Sequence, residues 1–189
     1  MIPTHARYHL GTQGWAYKDW VGGFYPPGTP ASRYLEFYSR VFDTVELDTT
    51  FYGPPRAETV RSWFDSTPDD FVFAAKMPGI ITHERRLVGT EADLVEFLDA
   101  VSLLGSKLGP LLVQLPPSFT FEEMSSLSKF LAILPEEFSY AVELRHESWL
   151  HPDTAKLLAE HHVAWTIIDL HYMPKTVHLT CDFTYVRWL

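Results

Sequence analysis

Two carboxylates lie two residues apart in the segment VELDTTFYGPP, which begins like a buried strand. Side chains alternate between the two faces of a strand, so Glu46 and Asp48 share one face and the apolar residues around them share the other. A similar carboxylate, Glu143, lies in YAVELRHESW. Carboxylates in such strands act as general bases or pair with cations as part of the structure, and both readings stay open for a single residue.

Cations and histidines occur at matching positions in other apolar runs. Lys76 ends FVFAAK, Arg145 ends AVELR, and Arg187 lies in TYVRWL. Ammonium and guanidinium groups bind carboxylate or phosphate, so three cations that face one pocket predict an anionic ligand. His83 and His146 follow two of these runs, and imidazole exchanges protons near neutral pH.

These residues need a framework of strands and helices, and the chain alternates between the two. Apolar or β-branched runs alternate with amphipathic segments in the order βαβαβαβαβαβ, followed by a last strand. This order predicts an α/β fold with parallel strands joined by helical crossovers. The predicted strands lie near residues 8–12, 44–48, 71–76, 111–115, 140–145, 164–169 and 184–188, and the predicted helices near 32–42, 57–65, 91–104, 121–134 and 152–161.

Two architectures fit this alternation, an open doubly wound sheet and a closed (β/α)8 barrel. The turn GTQGW lacks the GxGxxG pattern of a doubly wound nucleotide-binding fold, which favours the barrel. A (β/α)8 barrel ordinarily takes about 250 residues. The prediction is therefore a single TIM-barrel-like domain over residues 1–189, incomplete with about seven strands. Polar strand ends, including Asp169, would then meet at the carboxyl-terminal mouth, where barrel enzymes have their active sites.

Composition and charge disfavour several classes of protein. A net charge of −9 disfavours nonspecific binding of nucleic acid, although a local basic pocket remains compatible with it. A single cysteine excludes an internal disulfide framework and a Cys-rich zinc site. No apolar run reaches the ~18 residues of a membrane helix, and the first ten residues do not resemble a signal peptide. The predicted location is the cytoplasm.

Neither a cofactor nor a metal is predicted. The chain has no Walker-type loop and no GxSxG elbow, and HESWLH does not match the HExxH motif of zinc proteases. The acidic and histidine side chains could in principle surround a divalent cation. Pairing of the same carboxylates with nearby lysine and arginine needs no metal, and we favour it.

The combination of motifs resembles the domain-of-unknown-function 72 family, also called YecE-like. In order from Gly11, the motifs are GTQGWAYKDWVGGFYPPG, FDTVELDTTFYGPP, FVFAAKMPGIITHERRL, KLGPLLVQLPPSF, YAVELRHESW and YVRW. The resemblance implies a TIM-barrel-like fold and a bacterial or archaeal cytosolic protein of unassigned activity. Family members usually continue with a helix, a strand and a helix, so it also implies a chain truncated at its carboxyl terminus. Asp48 stands where the family tends to have asparagine or another small polar residue.

The resemblance also implies which polar positions form a site. Separately, Tyr17 and Trp20 of the long first loop flank two charged residues and are expected to contact a ligand. The positions that correspond to the family's polar residues are Glu46, Tyr52, Lys76, Thr82, His83, Gln114, Glu143, Arg145, His146, Trp149, Asp169 and Arg187.

The leading hypothesis is an acid–base enzyme of hydrolase or lyase type that acts on an anionic substrate, such as a phosphate-bearing sugar or nucleotide. The alternative is a non-catalytic binding protein for nucleic acid or an anionic metabolite, and a third reading is an inactive fragment. The oligomeric state stays open. The predicted catalytic residues are Glu46, Glu143, His83 and His146, and the predicted substrate-binding residues are Lys76, Arg145, Arg187, Asp169, Gln114, Tyr52, Trp149, Tyr17 and Trp20.

Overall fold

The computed structural model describes residues 7–189, so residues 1–6 of the predicted domain lie outside it. Strands and helices alternate as the sequence predicts. The strands are β1 Gly11–Gln13, β2 Thr44–Leu47, β3 Val72–Lys76, β4 Leu108–Gln114, β5 Tyr140–Glu143, β6 Ala164–Trp165, β7 Ile167–Asp169 and β8 Val186–Trp188. The helices are α1 Tyr34–Tyr38, α2 Ala57–Asp65, α3 Glu91–Ser102, α4 Met124–Leu131 and α5 Pro152–Glu160.

The predicted helices α1 and α4 are shorter than their amphipathic patterns. Each is preceded by a 3₁₀ turn, at Ala31–Arg33 and at Phe121–Glu123, which takes up the first part of the predicted segment. In the second turn the carboxylate of Glu123 accepts a hydrogen bond from the N–H of Thr120 at 3.1 Å. A helix start leaves backbone N–H groups without partners inside the helix, and this bond satisfies one of them.

Six strands form one parallel sheet in the order β1-β2-β3-β4-β5-β6. A doubly wound sheet reverses its strand order at a switch point, and this sequential order has no such reversal. A closed barrel is not found either, because no pairing joins β8 to β1 within residues 7–189. The architecture is therefore an α/β fold built on a sequentially ordered parallel sheet.

The strand predicted at 164–169 is divided at Thr166, which is a correction to the sequence-based prediction. The N–H of Thr166 donates to the carbonyl of Val142 on β5 at 2.9 Å. The next N–H, that of Ile167, donates to the carbonyl of Tyr185, also at 2.9 Å. The chain thus changes its hydrogen-bond partner from β5 to the segment that leads into β8, and β7 pairs with β8 in parallel.

The two faces of the sheet bury different residues. Val45, Phe73 and Leu111 belong to the large apolar core that also contains the buried residues of the helices. Their strand neighbours lie on the opposite face, where Leu112 and Ala141 form a small second core with Ala164 and, from the segment before β8, Phe183 and Tyr185. By strand parity, Glu46, Lys76, Gln114 and Glu143 share this inner face.

A buried lysine lies at the amino-terminal end of the sheet, directly before β4. Lys107 is 2% exposed, and its Nζ donates to the carbonyls of Phe64 at 2.6 Å and Thr67 at 2.8 Å. Nζ also donates to the hydroxyl of Thr67 at 3.2 Å and lies 4.1 Å from the centre of the Phe64 ring. The last carbonyls of a helix carry negative partial charge, so the ammonium caps the end of α2.

Candidate functional site

Arg187 of β8 bridges the two inner carboxylates. Its Nη2 donates to Oε1 of Glu46 at 2.8 Å, and its Nη1 donates to Oε2 of Glu143 at 2.6 Å. The second oxygen of Glu46 accepts from the hydroxyl of Tyr185 at 2.9 Å. These four residues, Glu46, Glu143, Tyr185 and Arg187, are called the interior network below. Strand β8 supplies or adjoins both donors, so the division at Thr166 is what brings them over the inner face.

Burial governs the ionisation of the interior network. It raises the pKa of Glu46 above its ordinary value, while Arg187 and the Tyr185 hydrogen bond oppose that rise. Burial alone would lower the pKa of Arg187, but the charges of Glu143 and Glu46 outweigh this effect, so the pKa is raised. Burial and the Glu46 charge raise the pKa of Tyr185 well above 10. Tyr185 is therefore a neutral hydrogen-bond donor, and Arg187 is fully charged.

Arg145 connects the interior network to the solvent. Its Nε donates to Oε1 of Glu143 at 2.5 Å, and its side chain is 20% exposed. Its two terminal nitrogens make no hydrogen bond with any of residues 7–189. Glu143, with no exposed side-chain surface, holds the Nε of Arg145 and leaves the donors on the two terminal nitrogens unused among the described residues.

Lys76, at the carboxyl end of β3, is held by a carboxylate and a ring. Its Nζ donates to Oδ1 of Asp48 at 3.0 Å and lies 4.3 Å from the centre of the Phe51 ring. An ammonium has three N–H donors, and the carboxylate uses one of them. The cation–π contact orients the side chain without using up the remaining donors.

His83 also contacts the ring of Phe51. It belongs to a π-helical turn, Ile80–Glu84, and its imidazole contacts the Phe51 ring edge-on at 4.9 Å between centroids. Nδ1 is 2.9 Å from the hydroxyl of Thr82. Burial lowers the pKa of His83, and the charges of Lys76, Arg145 and Arg86 lower it further, so the imidazole is neutral at pH 7. Lys76, His83 and Arg145 are called the mouth group below.

Gly79 makes room for the ring that orders this region. A Cβ added at Gly79 would lie 2.8 Å from Cζ of Phe51, closer than Cβ atoms approach other atoms in proteins, and 3.1 Å from both Cε atoms. The glycine therefore allows the tip of the Phe51 ring to approach the turn closely, and the same ring contacts Lys76 and His83.

Two further predicted residues lie beside the interior network. Gln114 is buried, pairs in register with Glu143, and donates from Nε2 to the carbonyl of Leu115 at 2.9 Å. The hydroxyl of Tyr17 donates to the carbonyl of Gln13. Burial raises the pKa of Tyr17, and the charges of Asp48 and Glu46 raise it further. Trp20 contacts the Tyr17 ring at 4.7 Å between centroids.

Among residues 7–189, four predicted residues make no hydrogen bond or ion pair with the interior network or the mouth group, although the Tyr52 ring contacts Phe51 at 5.5 Å between centroids. The buried indole of Trp149 donates to the carbonyl of Phe119 at 2.8 Å. Tyr52 is 85% exposed, and Asp169 pairs with Lys175 at 2.9 Å. Nδ1 of His146 accepts from the N–H of Ser148 at 3.2 Å and caps a short 3₁₀ turn. Trp149 and His146 line a narrow crevice with Trp165, Thr166 and Met173. Functional roles for these four residues stay predictions.

The sequence-based site left out Tyr185, Phe51 and Arg86. Strand parity gives Tyr185 the same face as Arg187, and that signal identifies it as a partner of the interior network. Phe51 and Arg86 lie in turns, and no periodic pattern indicates which way a turn residue points.

Residues 7–189 contain neither a cluster of metal ligands nor a helix that could cross a membrane. No group of three or more His, Cys, Asp or Glu side chains within this range is arranged to hold a metal ion. Over the same residues, no helix combines the length and the apolar composition that crossing a membrane requires.

The sequence matches the family described as "Protein of unknown function DUF72" over residues 9–189. The UPF0759 protein YecE of Escherichia coli is 37% identical over 138 residues, which cover 73% of this chain and 48% of that protein. The UPF0759 protein YunF of Bacillus subtilis is 32% identical over 152 residues, covering 76% of this chain and 52% of that protein. The chain thus spans about half the length of the curated relatives it matches.

Two crystal structures of DUF72 family proteins have similar folds. One, from Thermotoga maritima, superposes with a TM-score of 0.81 at 31% identity and covers 95% of this chain and 73% of that chain. Another, from Enterococcus faecalis, superposes with a TM-score of 0.69 at 26% identity and covers 85% of this chain and 70% of that chain.

Proposed function

From the premise that the chain belongs to the DUF72 family of proteins of unknown function, we propose that it is an acid–base enzyme acting on an anionic substrate. The substrate binds at the carboxyl-terminal mouth of a TIM-barrel-like sheet and carries a phosphate or carboxylate group, as phosphate-bearing sugars and nucleotides do. The sequential strand order and the DUF72 structural neighbours support the barrel-like architecture. A cytoplasmic location is part of the proposal.

The observation that carries the proposal is the unequal use of the inner cations. Arg187 has a carboxylate on each of its two terminal nitrogens. Arg145 donates to Glu143 only from Nε, and Lys76 uses one of its donors for Asp48. Donors that remain beside a partly exposed mouth are suited to an oxyanion, which arginine binds with two parallel hydrogen bonds.

His83 is the group best suited to proton transfer. Because it is neutral at pH 7, Nε2 can accept or donate a proton beside the bound anion. The Thr82 hydroxyl at Nδ1 orients the ring. In this assignment Glu46 and Glu143 are positioning residues, since every one of their carboxylate oxygens already accepts a hydrogen bond.

The same saturation of Glu46 and Glu143 favours the second candidate, a non-catalytic binding protein for an anionic metabolite. In that case the mouth group supplies affinity alone, and His83 needs no proton-transfer role. The two candidates share the anion site and differ in whether turnover follows binding.

The test is a calorimetric titration of the chain with inorganic phosphate and with a panel of sugar phosphates, nucleoside monophosphates and small carboxylates. Arg145→Lys keeps a cation beside Glu143 but removes the fork, so binding should weaken by about tenfold or more, the worth of one charge-assisted hydrogen bond. Arg33→Lys is the matched control, because Arg33 lies on the exposed surface and pairs with Glu36. Its affinity should equal that of the parent chain.

Product formation from the tightest-binding compounds separates the two candidates. For an enzyme, His83→Gln should abolish turnover and leave the dissociation constant nearly unchanged. Binding without turnover in the parent chain supports the binding protein. A chain that binds none of the anions, or an Arg145→Lys variant that binds as well as the parent, contradicts the proposal.

A further inference from the structure

The loop between β3 and α3 has an unusual backbone. It contains the π-helical turn Ile80–Glu84, which carries His83. Arg86 and Leu87 follow with φ of 49° and 68°, in the left-handed region that side chains other than glycine rarely adopt. Single π turns and left-handed residues persist where the surroundings hold them in place, and both are frequent at functional sites.

Arg86 makes the contacts that hold this loop. Its Nε donates to Oε1 of Glu123 at 2.7 Å, and its Nη2 donates to Oε2 at 2.5 Å. The guanidinium also donates to the hydroxyl of Ser118 at 3.1 Å and to its carbonyl at 3.0 Å, and it lies 5.3 Å from the centre of the Phe119 ring. Leu87 beside it is buried. Arg86 and Glu123 are called the clamp below.

Glu123 is a fixed point for the clamp. It lies in the 3₁₀ turn before α4 and accepts the N–H of Thr120 at 3.1 Å in addition to the two bonds from Arg86. The Arg86 hydrogen bonds hold the pKa of this carboxyl below its usual range, so it is ionised at pH 7. The clamp therefore ties the loop after β3 to the loop after β4 by an ion pair with two parallel hydrogen bonds.

We propose that Arg86 and Glu123 are positioning residues that hold the β3–α3 loop in its strained form and thereby keep His83 against Phe51 at the mouth. The inference rests on the proposed function only for the role of His83. The pKa of His83 and its contact with Phe51 are measured in the ligand-free protein. The experiment can therefore contradict the clamp while anion binding is confirmed, and the reverse.

The groups around His83 determine how release of the loop would change its pKa. The charges that act on the imidazole are Lys76 at the end of β3, Arg145 after β5, and Arg86 in the same loop. The Thr82 hydroxyl and the Phe51 ring complete its surroundings. A loop released from the clamp moves the imidazole into water and away from these cations, and both changes raise its pKa.

The decisive variant is Glu123→Gln, because positioning and simple charge effects have opposite signs there. Loss of a negative charge alone would lower the pKa of His83 further. Loss of the clamp should raise it toward its ordinary value and remove the nuclear Overhauser contact between the His83 and Phe51 rings. An NMR pH titration measures the pKa, and a nuclear Overhauser spectrum measures the ring contact. The signal of His83 is identified among those of nine histidines by its absence in His83→Gln.

Asp93→Asn is the matched control. Asp93 lies in α3 and pairs with Arg85, the other arginine of the β3–α3 loop, at 3.1 Å. This variant therefore also removes one negative charge that pairs with an arginine of the loop, and it leaves the clamp intact. It should retain the ring contact and show no upward pKa shift.

A second variant keeps the test decisive if Glu123→Gln does not fold. Arg86→Lys retains the positive charge but cannot form two parallel bonds, so it should also raise the pKa of His83 and weaken the ring contact. An unchanged or lowered pKa together with an intact ring contact, in either folded variant, overturns the proposal.

Discussion

The two ends of the parallel sheet bury cations in opposite ways. At the amino-terminal end, Lys107 donates to two carbonyls and a hydroxyl, all of them neutral. At the carboxyl-terminal end, Arg187 and Arg145 face the carboxylates of Glu46 and Glu143. One end uses a charge to complete a helix terminus, and the other collects several charges around a mouth.

The difference lies in how each set of partners responds to its surroundings. Neutral backbone acceptors cannot change their protonation, so the environment of Lys107 is the same at any pH where the lysine is charged. Ionised partners respond to ligands, to pH and to one another. In parallel α/β folds the carboxyl end of the strands is also where ligands bind. Substitutions at the two ends should therefore differ in their effect on function more than in their effect on stability.

The largest expected effect comes from Arg187→Met. The variant leaves Glu46 and Glu143 buried without their shared cation, and breaking a buried pair in this way costs about 3–5 kcal/mol. Urea unfolding measures the loss, with the exposed Arg33→Met as control. A loss below about 1 kcal/mol would mean that water reaches both carboxylates, and the interior network would not then be closed.

Lys107→Met should have the next largest effect. The methionine keeps most of the volume but leaves the carbonyls of Phe64 and Thr67 without their donor, at a cost of about 2–3 kcal/mol. Urea unfolding measures this loss, and Lys129→Met on the exposed face of α4 is the control. If the two ends are functionally distinct, the anion affinity of Lys107→Met should equal that of the parent chain, and a reduced affinity in the folded variant would contradict the distinction.

A smaller effect is expected from pH, and its sign follows from His83. Burial and nearby cations lower the pKa of this imidazole in the folded state, so between pH 7 and 5 the unfolded chain binds the additional proton. The free energy of unfolding should fall over this range, and His83→Gln should make the fall less steep. The raised pKa of Glu46 acts with the opposite sign in both proteins, so their difference isolates His83. Parallel curves for the two proteins would contradict the assignment.

Asp169→Asn should have the smallest effect. Asp169 lies at the carboxyl end of β7 but pairs with the exposed Lys175 rather than with the interior network. Exposed pairs contribute about 0–1 kcal/mol, and anion affinity should not change. A large loss of affinity in this variant would mean that the anion site includes Asp169 in addition to Lys76, His83 and Arg145.

Strand parity predicted much of this arrangement from the sequence. Alternation of side chains along any strand gives Glu143 and Arg145 one face and Tyr185 and Arg187 another shared face. It did not predict the division at Thr166, where tertiary hydrogen bonds decide which neighbour each half of the strand takes. The burial of Trp149 was also beyond it, since an aromatic residue near polar ones is compatible with packing and with ligand contact alike.

Turn geometry marks the other limit of the sequence. Phe51, Gly79 and Arg86 determine how Lys76 and His83 are presented, yet none of them belongs to a periodic pattern. Their arrangement depends on left-handed backbone, a π turn and contacts between separate loops. Sequence patterns therefore indicate which charged residues lie at the carboxyl end of the strands better than they indicate the residues that hold them.

The bonds of β8 to β2 have a consequence for the order of folding. Arg187 and Tyr185 lie 141 and 139 positions after Glu46, so the counter-charge of that carboxylate reaches it only after residue 187 has been synthesised. Until then Glu46 and Glu143 keep their hydration, and the inner face of the early strands stays wet. Contacts of such long sequence separation slow folding. Closure of the interior network is thus expected to be a late step, in which water leaves the inner face as Arg187 arrives.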